Sequence, residues 1–285
     1  MKKLIPSLLF LCTITLYAKP VVVVSIIPEK TFVEKIAKDK VDVTVMVAPG
    51  NSPHSYEPKS SQMVAISKAD IYFSIGVEFE KAWLQRFKSQ NSNLKFVNIS
   101  SNITKLPMAK HHHNHHHDDT HNTHNSLDPH TWTSPKNVSI MAHTIAKSLI
   151  ALDSKNKQFY TDNLNKFLQE IQNTDTQIKS ILDDIKPKSK FMVFHPSWGY
   201  FAHEYGLTQV AVEVEGKKPK PKELITIIEE AKEENVKVIF TQPEFSDKSA
   251  QIIAKEAHVS VKKVSPLNKE WSQNLINMAK AIANK

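Results

Sequence analysis

The stretch that decides the fold is residues 154–185, SKNKQFYTDNLNKFLQEIQNTDTQIKSILDDI. Its apolar residues recur at helical intervals, and no glycine or proline interrupts it before Pro187. The pattern therefore predicts one continuous helix. At 1.5 Å per residue this helix would be about 45 Å long. A helix of that length between two halves of a chain is expected to be a strut between them rather than part of a core.

Strands and helices alternate along the chain before this helix. Apolar, β-branched runs predict strands at 21–27, 41–47, 71–75 and 96–99, and helical spacing predicts helices at 31–38, 60–68, 79–89 and 136–150. Alternation at this spacing is typical of βαβ units with right-handed crossovers and a parallel sheet.

The same alternation follows the long helix. Strands are predicted at 191–194, 209–212, 236–241 and 259–264, with helices at 222–234, 247–257 and 270–283 and a short one ending before Gly206. At 285 residues the chain can form two α/β domains with separate cores. We predict two Rossmann-like α/β lobes, at 19–153 and 186–285, joined by a long, rigid α-helix at 154–185.

Residues 1–18 have the pattern of a secretory signal peptide. Lys2 and Lys3 precede an apolar run that ends in Tyr17-Ala18, and we expect cleavage after Ala18. The only cysteine, Cys12, lies in this segment, where the preceding residues lack the small side chains of a lipoprotein cleavage site. The exported protein should therefore reside in the periplasm without disulfides, and any metal must be held by nitrogen and oxygen.

The formal charge is +8, or +6 without the two lysines of the signal peptide, and Arg86 is the sole arginine. Nucleic-acid-binding proteins rely on arginine for bidentate contacts to guanine and phosphate. The sequence has no basic stripe with interleaved aromatic residues. This composition argues against a nucleic-acid partner and favours lysines on solvated helix faces.

Residues 110–126, which we call the His-rich loop, are polar and of low complexity. They contain almost nothing that could be buried, and dense imidazole indicates metal binding. We predict weak, auxiliary metal binding by the histidines of this loop, which are His111, His112, His113, His115, His116, His117, His121 and His124.

Three further histidines, His54, His130 and His195, each stand next to a proline in a loop. His54 and His195 follow predicted strands, and open α/β sheets bind ligands beyond the carboxyl ends of their strands. The neighbouring proline restricts the backbone and favours a fixed ligand position. We therefore predict that these three site histidines bind one metal ion.

Four segments carry a resemblance to a known family: 49–58 (PGNSPHSYEP), 128–132 (DPHTW), 194–201 (FHPSWGYF) and 213–217 (EVEGK). They are similar to the metal-binding receptors of ABC importers for zinc and manganese, in particular the ZnuA-like zinc group. The resemblance implies two α/β lobes joined by a long helix, a metal between them, and the three site histidines as its ligands. A histidine-rich loop between the first and second ligands is likewise a mark of the zinc members.

The chain departs from this family before its last helix. Many relatives have an acidic residue there, in an Asp-Pro-Leu sequence that can complete the coordination of the metal, but this chain has Ser265-Pro266-Leu267. The fourth ligand is therefore open. It could be a water, a histidine of the His-rich loop or a nearby carboxylate such as Glu244.

Three imidazole nitrogens with one oxygen suit tetrahedral Zn²⁺, whereas Mn²⁺ prefers more carboxylate. We predict a monomeric extracytoplasmic solute-binding protein, not an enzyme, that captures Zn²⁺ as transported ligand and delivers it to the membrane permease of an ABC importer. The alternatives are a manganese or iron receptor of the same family, an exported zinc hydrolase, and a surface adhesin or zinc buffer without a permease. The chain lacks the His-Glu-x-x-His helix of one large class of zinc hydrolases.

Overall fold

The structure, a computed structural model, describes residues 18–108, 127–213, 217–234 and 236–285. Residues 1–17 of the predicted signal peptide and all the histidines of the His-rich loop lie outside these ranges, so both predictions stay untested. Within the described ranges, every helix is too short or too polar to cross a lipid bilayer.

The N-terminal lobe is built on a four-stranded parallel sheet in the order β2-β1-β3-β4. The strands are β1 (Val21–Val24), β2 (Asp42–Val45), β3 (Ile71–Ser74) and β4 (Lys95–Asn98). The helices are α1 (Ile27–Ala37), α2 (Ser60–Lys68), α3 (Glu78–Gln90) and α4 (Pro135–Leu152). The two central strands, β1 and β3, are largely buried, as their continuous apolar runs predicted.

The C-terminal lobe has the same architecture, with the order β6-β5-β7-β8. Helix α5 (Lys157–Leu182) precedes it. Its strands are β5 (Lys190–Val193), β6 (Thr208–Ala211), β7 (Val238–Thr241) and β8 (Ser260–Lys263). Its helices are α6 (Gly199–Glu204), α7 (Pro221–Glu233), α8 (Lys248–Ala257) and α9 (Trp271–Ala283). The prediction of two parallel α/β lobes with a long helix between them is confirmed.

Each sheet places the first strand of its lobe in the interior, with its second strand on one side and its third on the other. The strand order therefore reverses between β1 and β3, and between β5 and β7. Such a reversal opens a crevice at the carboxyl ends of the strands. Each lobe thus has a ready place for a ligand at one edge of its sheet.

The predicted strand at 21–27 is too long, because β1 ends at Val24 and α1 already begins at Ile27. The side chain of Glu29 accepts hydrogen bonds from the backbone N–H groups of Ser25 and Ile26, both at 3.0 Å. These bonds satisfy donors that the helix start leaves free. Pro28 fits in this first turn, where its missing N–H costs nothing.

The prediction that the long helix is a strut rather than a core element is wrong. Helix α5 is shorter than predicted, because a 3₁₀ turn at Ser154–Asn156 precedes it, and it packs against α1, α4 and α9. Its buried side chains, which include Phe167, Ile171 and Ile178, belong to the largest apolar cluster of the described residues, which also takes in parts of both lobes. The helix therefore joins the lobes through a shared core.

Candidate metal centre

The three site histidines converge in a cavity between the lobes. Each offers one ring nitrogen, and these atoms all lie within 4.8 Å of one another. The Nε2 atoms of His54 and His195 are 2.8 Å apart, and the ring of His130 lies 5.2 Å from that of His195. Among the described residues, no other group of three or more histidine, cysteine, aspartate or glutamate side chains has a geometry that could hold a metal ion.

Each site histidine comes from a different part of the fold. His54 lies in the loop after β2, His195 follows β5, and His130 precedes a 3₁₀ turn at Thr131–Thr133 that leads into α4. The carboxyl ends of both sheets thus face one cavity, with His130 between them. The structure brings together all three residues that the sequence singled out, while their binding of a metal stays a prediction.

A carboxylate stands behind each of these rings. The Nδ1 atom lies 2.7 Å from Asp128 Oδ1 in His130, 2.8 Å from Glu213 Oε1 in His195, and 3.0 Å from Glu78 Oε2 in His54. An acceptor at Nδ1 favours the tautomer with the proton there, which leaves the lone pair of Nε2 for a metal. Each ring therefore turns one nitrogen, a possible metal donor, toward the cavity.

None of these three carboxylates is among the predicted site residues. Asp128 and Glu213 lie inside two of the segments that carry the family resemblance, so a search for acidic residues near the histidine motifs could have found them. Glu78 gives no such signal, because 24 residues separate it from His54 and only the packing of α3 against the loop after β2 brings the two together.

The loop that carries His130 is anchored at the base of the His-rich loop. Pro107 and Leu127 pair across this base as an isolated antiparallel bridge. The hydroxyl of Tyr200 accepts a hydrogen bond from Leu106 N at 3.0 Å and donates to Asp128 O at 2.9 Å. Tyr200 belongs to α6, so a residue of the C-terminal lobe fixes the segment that presents His130.

His195 is held by a buried glutamine. The amide of Gln242 accepts a hydrogen bond from His195 N at 3.2 Å and donates to His195 O at 3.0 Å, and it also donates to Ser197 Oγ at 2.6 Å. Gln242 directly follows β7, so these bonds join the ends of two neighbouring strands. The ring of His195 also stacks on Phe245, with centroids 5.0 Å apart and planes at 25°. The position of His195 is thus set by both backbone and ring contacts.

The pKa values of His54 and His195 are shifted in opposite directions. Burial lowers the pKa of His54, but the hydrogen bond and charge of Glu78 outweigh it and raise the pKa above its ordinary value. The same pairing outweighs the effect of burial on Glu78 and lowers its pKa to about 2. Burial is also the largest influence on His195, and Glu213 offsets it only in part, so the pKa of His195 is lowered. His54 is therefore protonated at a higher pH than His195.

The cavity itself is small, at about 20 Å³. This volume is enough for one water-sized particle. Its non-histidine walls are mostly apolar and come from both lobes; they include Val77, Trp132, Phe245, Pro266 and Leu267. A single ion without its full hydration shell is the ligand that this space fits.

Two tryptophans fasten one wall of the cavity across the lobes. The indole Nε1 of Trp132 donates to Pro266 O at 2.8 Å, and that of Trp271 donates to Trp132 O at 2.7 Å. All these atoms are buried, so each bond would be costly to break. The segment after His130 is thereby tied to the segment before α9.

Glu244, the predicted candidate for a fourth ligand, lines the same cavity. Its carboxylate is not among the ligand atoms that lie within 4.8 Å of one another. Instead, Oε1 of Glu244 accepts a hydrogen bond of 3.0 Å from Ser265 Oγ. Ser265 is the residue at which the resemblance in sequence leads one to expect an acidic side chain. The structure thus places Glu244 beside the three histidines without grouping it with them.

A larger cleft, of about 850 Å³, lies elsewhere, between α1, α5 and α9. Its described lining is polar, contains no histidine, and is bridged by an ion pair of 2.6 Å between Lys35 and Glu170. We do not assign the metal site to it, because the nitrogen donors are all in the small cavity.

Comparison with known proteins agrees with this geometry. Residues 22–285 match the family described as "Zinc-uptake complex component A periplasmic". The high-affinity zinc uptake system protein ZnuA of Bacillus subtilis is 29% identical over 239 residues, which are 82% of this chain and 74% of that protein. The manganese ABC transporter substrate-binding lipoprotein PsaA of Streptococcus pneumoniae is 27% identical over 240 residues, or 80% and 73% of the two chains.

A solved structure is also similar. The crystal structure of a ZnuA superimposes with a TM-score of 0.85 at 41% sequence identity, and the match covers 94% of this chain and 99% of the other. Similarity at this level extends over both lobes and the long helix. It therefore includes the cavity between the lobes.

Proposed function

Because the chain belongs to the family of periplasmic zinc-uptake component A proteins, the metal-binding receptors of ABC importers, we propose that its cargo is Zn²⁺ and that the three site histidines bind it. Membership of this family also makes the chain a binding protein rather than an enzyme, so the hydrolase alternative is set aside. The zinc-buffer alternative requires that the protein work without a permease, which is not how receptors of this family work.

One observation carries the proposal: one ring nitrogen from each site histidine lies within 4.8 Å of the others, and a carboxylate oxygen stands within 3.0 Å of each Nδ1. Neutral imidazoles with an open fourth position suit tetrahedral Zn²⁺. A carboxylate behind each ring increases its basicity and fixes its direction. The fourth position is left to a water, a histidine of the His-rich loop or Glu244.

Manganese is the second candidate, since PsaA of Streptococcus pneumoniae is a manganese-transporter protein by name. Mn²⁺ favours oxygen ligands and a higher coordination number. The described site offers nitrogen at its centre and keeps three of its carboxylates behind the rings. The donor set therefore favours Zn²⁺ over Mn²⁺, and the same argument applies to Fe²⁺.

The proposed course of transport is capture and delivery. The His-rich loop raises the local concentration of zinc, the cavity takes one ion, and the membrane permease of the importer accepts it from a monomeric receptor. Cleavage after Ala18 would release the receptor into the periplasm. The shared core around α5 and the tryptophan bonds limit lobe motion, so we expect release through small shifts of the loops that carry the histidines.

The test is calorimetric titration of the metal-free protein, lacking residues 1–18, with Zn²⁺. We expect one tight site and several weaker ones. A His54→Ala, His130→Ala, His195→Ala triple variant should retain only the weak sites. The matched control is His143→Ala with His203→Ala, two exposed histidines outside the cavity, and it should keep the tight site. Tight binding by the triple variant would place the tight site outside the cavity and overturn the proposal.

A competition titration between metal ions tests which ion is the cargo. The same protein is loaded with Zn²⁺ and then titrated with Mn²⁺ or Fe²⁺ under anaerobic conditions. Retention of zinc against a large excess of either ion supports the proposal. Displacement of zinc by equimolar Mn²⁺ would favour the manganese receptor.

A further inference from the structure

We propose that Glu244 is a transfer ligand, which binds the incoming ion at the neck between an outer cleft and the histidine cavity and then passes it to the three site histidines. The inference rests on the proposed function of the cavity as a zinc site. It adds a residue that acts on the path of the ion rather than at its final position.

An outer cleft of about 560 Å³ adjoins the histidine cavity. One of its sides is formed by α1 and the loop after β2, and the other by residues 243–244 and 265–269. It is therefore a cleft between the two lobes. Two residues line both this cleft and the histidine cavity, Glu244 and Leu267, and they mark the neck between the two spaces.

The difference in volume requires that the ion lose water at this neck. The inner cavity has about 20 Å³, room for one water-sized particle. A hydrated divalent ion carries a full shell of waters and is much larger than that. Its waters must be replaced one at a time, and a carboxylate oxygen is a suitable replacement on Zn²⁺.

Glu244 is the charged side chain in position to do this. Among the described residues that line these two spaces, it is the only charged one that both share. The other carboxylate of the inner cavity, Glu78, is occupied by the Nδ1 of His54 at 3.0 Å. Glu244 also lies half-buried, so its charge is screened less than that of a fully exposed side chain.

Ser265 holds Glu244 at the neck. The hydroxyl of Ser265 donates to Oε1 of Glu244 at 3.0 Å, and Ser265 is itself fixed by Leu267 N at 3.1 Å and by Asn274 Nδ2 at 2.9 Å. Asn274 belongs to α9, so the support is a helix rather than a loose loop. The second oxygen of Glu244, Oε2, is not used in the bond to Ser265 and is left for the ion.

The position of Glu244 favours a role in transfer of the ion over a role as a permanent fourth ligand. A permanent ligand would be expected among the atoms grouped within 4.8 Å, where only the three imidazoles are found. A transfer ligand lowers the barrier for the ion in both directions. It therefore changes rates of binding and release without changing the affinity at equilibrium.

The experiment measures the kinetics of Zn²⁺ binding by stopped flow, with tryptophan fluorescence as reporter, because Trp132, one of the four tryptophans, has its ring 5.2 Å from that of His130. Release is measured with an excess of a chelator. Glu244→Gln preserves the size of the side chain and removes its charge. The matched control is Glu34→Gln, which removes the same charge from the lining of the outer cleft at a residue that does not reach the inner cavity.

We expect Glu244→Gln to slow both association and release by about tenfold, with Kd unchanged, while Glu34→Gln has little effect. Equal rates in the two variants would overturn the proposal, since a general effect of charge would then suffice. A loss of affinity through faster release in Glu244→Gln would also overturn it, because Glu244 would then be a permanent ligand. Failure of the wild type to bind zinc tightly would instead reject the proposed function.

Discussion

Oδ1 of Asp128 accepts two hydrogen bonds from His130, one from its backbone N at 2.8 Å and one from its ring Nδ1 at 2.7 Å. A single carboxylate oxygen thus sets both the backbone and the ring of a proposed ligand. Both residues are almost completely buried, so water cannot replace these bonds if they are lost.

Asp128→Asn keeps an oxygen acceptor but removes its charge, and it should therefore weaken zinc binding by about 10- to 100-fold, the usual effect of mutating the partner behind a metal-binding histidine. The measurement is a competition titration with a zinc chelator of known affinity. Asp162→Asn, on the exposed face of α5, is the control for the change of charge and should bind zinc like the wild type. Equal affinities in the two variants would show that Asp128 does not orient the site.

Gly199→Ala, a change in the C-terminal lobe, should disturb the contact between Asp128 and His130. A Cβ at Gly199 would lie 2.6 Å from Oδ2 of Asp128, closer than real contacts allow. We expect a loss of about 1–3 kcal/mol in the free energy of unfolding, and weaker zinc binding because Asp128 must move. Chemical denaturation and zinc titration measure the two effects. In an Asp128→Ala background the added methyl group should lower the free energy of unfolding much less. An equal loss in that background would mean that the clash lies elsewhere.

Gln242→Ala should destabilise the protein and displace His195. It removes the partners of a buried backbone N–H and C=O, which costs about 1–3 kcal/mol in unfolding free energy. Thermal unfolding of the metal-free protein and zinc titration give the two readouts. The control is Gln251→Ala, an exposed glutamine of α8, for which we expect a wild-type melting temperature. A wild-type affinity for zinc in Gln242→Ala would show that the ring contacts alone position His195.

Zinc affinity should fall with decreasing pH, starting above the ordinary histidine value of 6.5, because the pKa of His54 is raised. A proton on Nε2 excludes the metal, so a raised pKa moves the competition to higher pH. The pKa of His195 is lowered, so this ring stays neutral to lower pH. Glu78→Gln removes the group that raises the pKa of His54, and the fall should then begin at lower pH. The check is a series of zinc titrations from pH 8 to pH 5; an unshifted profile in Glu78→Gln would contradict the assignment.

Replacement of the His-rich loop, residues 110–126, by a short flexible linker should leave the tight site intact and remove the weaker ones. Pro107 and Leu127 already pair with each other, so a short connection can join the two ends of the loop. The measurement is the number of zinc ions bound per chain at saturation, together with the affinity of the tightest. A large loss of affinity at the tight site would show that a histidine of the His-rich loop completes it.

Much of the fold could be predicted from local pattern. The alternation of apolar runs and helical periods predicted two parallel sheets, because strands buried on both faces need continuous apolar runs such as that of β3. The start of α1 could not be predicted in this way, since the side chain of Glu29 decides it by binding two backbone N–H groups. The shared core around α5 was also missed, because periodicity shows that a helix has an apolar face but not what covers it.

The sequence by itself determined that three histidines stand in restrained loops, and that two of them follow strands whose carboxyl ends form ligand sites. Only the tertiary structure decided what stands behind them. Glu78 and Glu213 reach their rings across 24 and 18 residues of chain, and no local spacing encodes such a contact. Contacts of this kind depend on how α3 and the end of β6 are placed in space, and that placement comes from the packing of whole lobes.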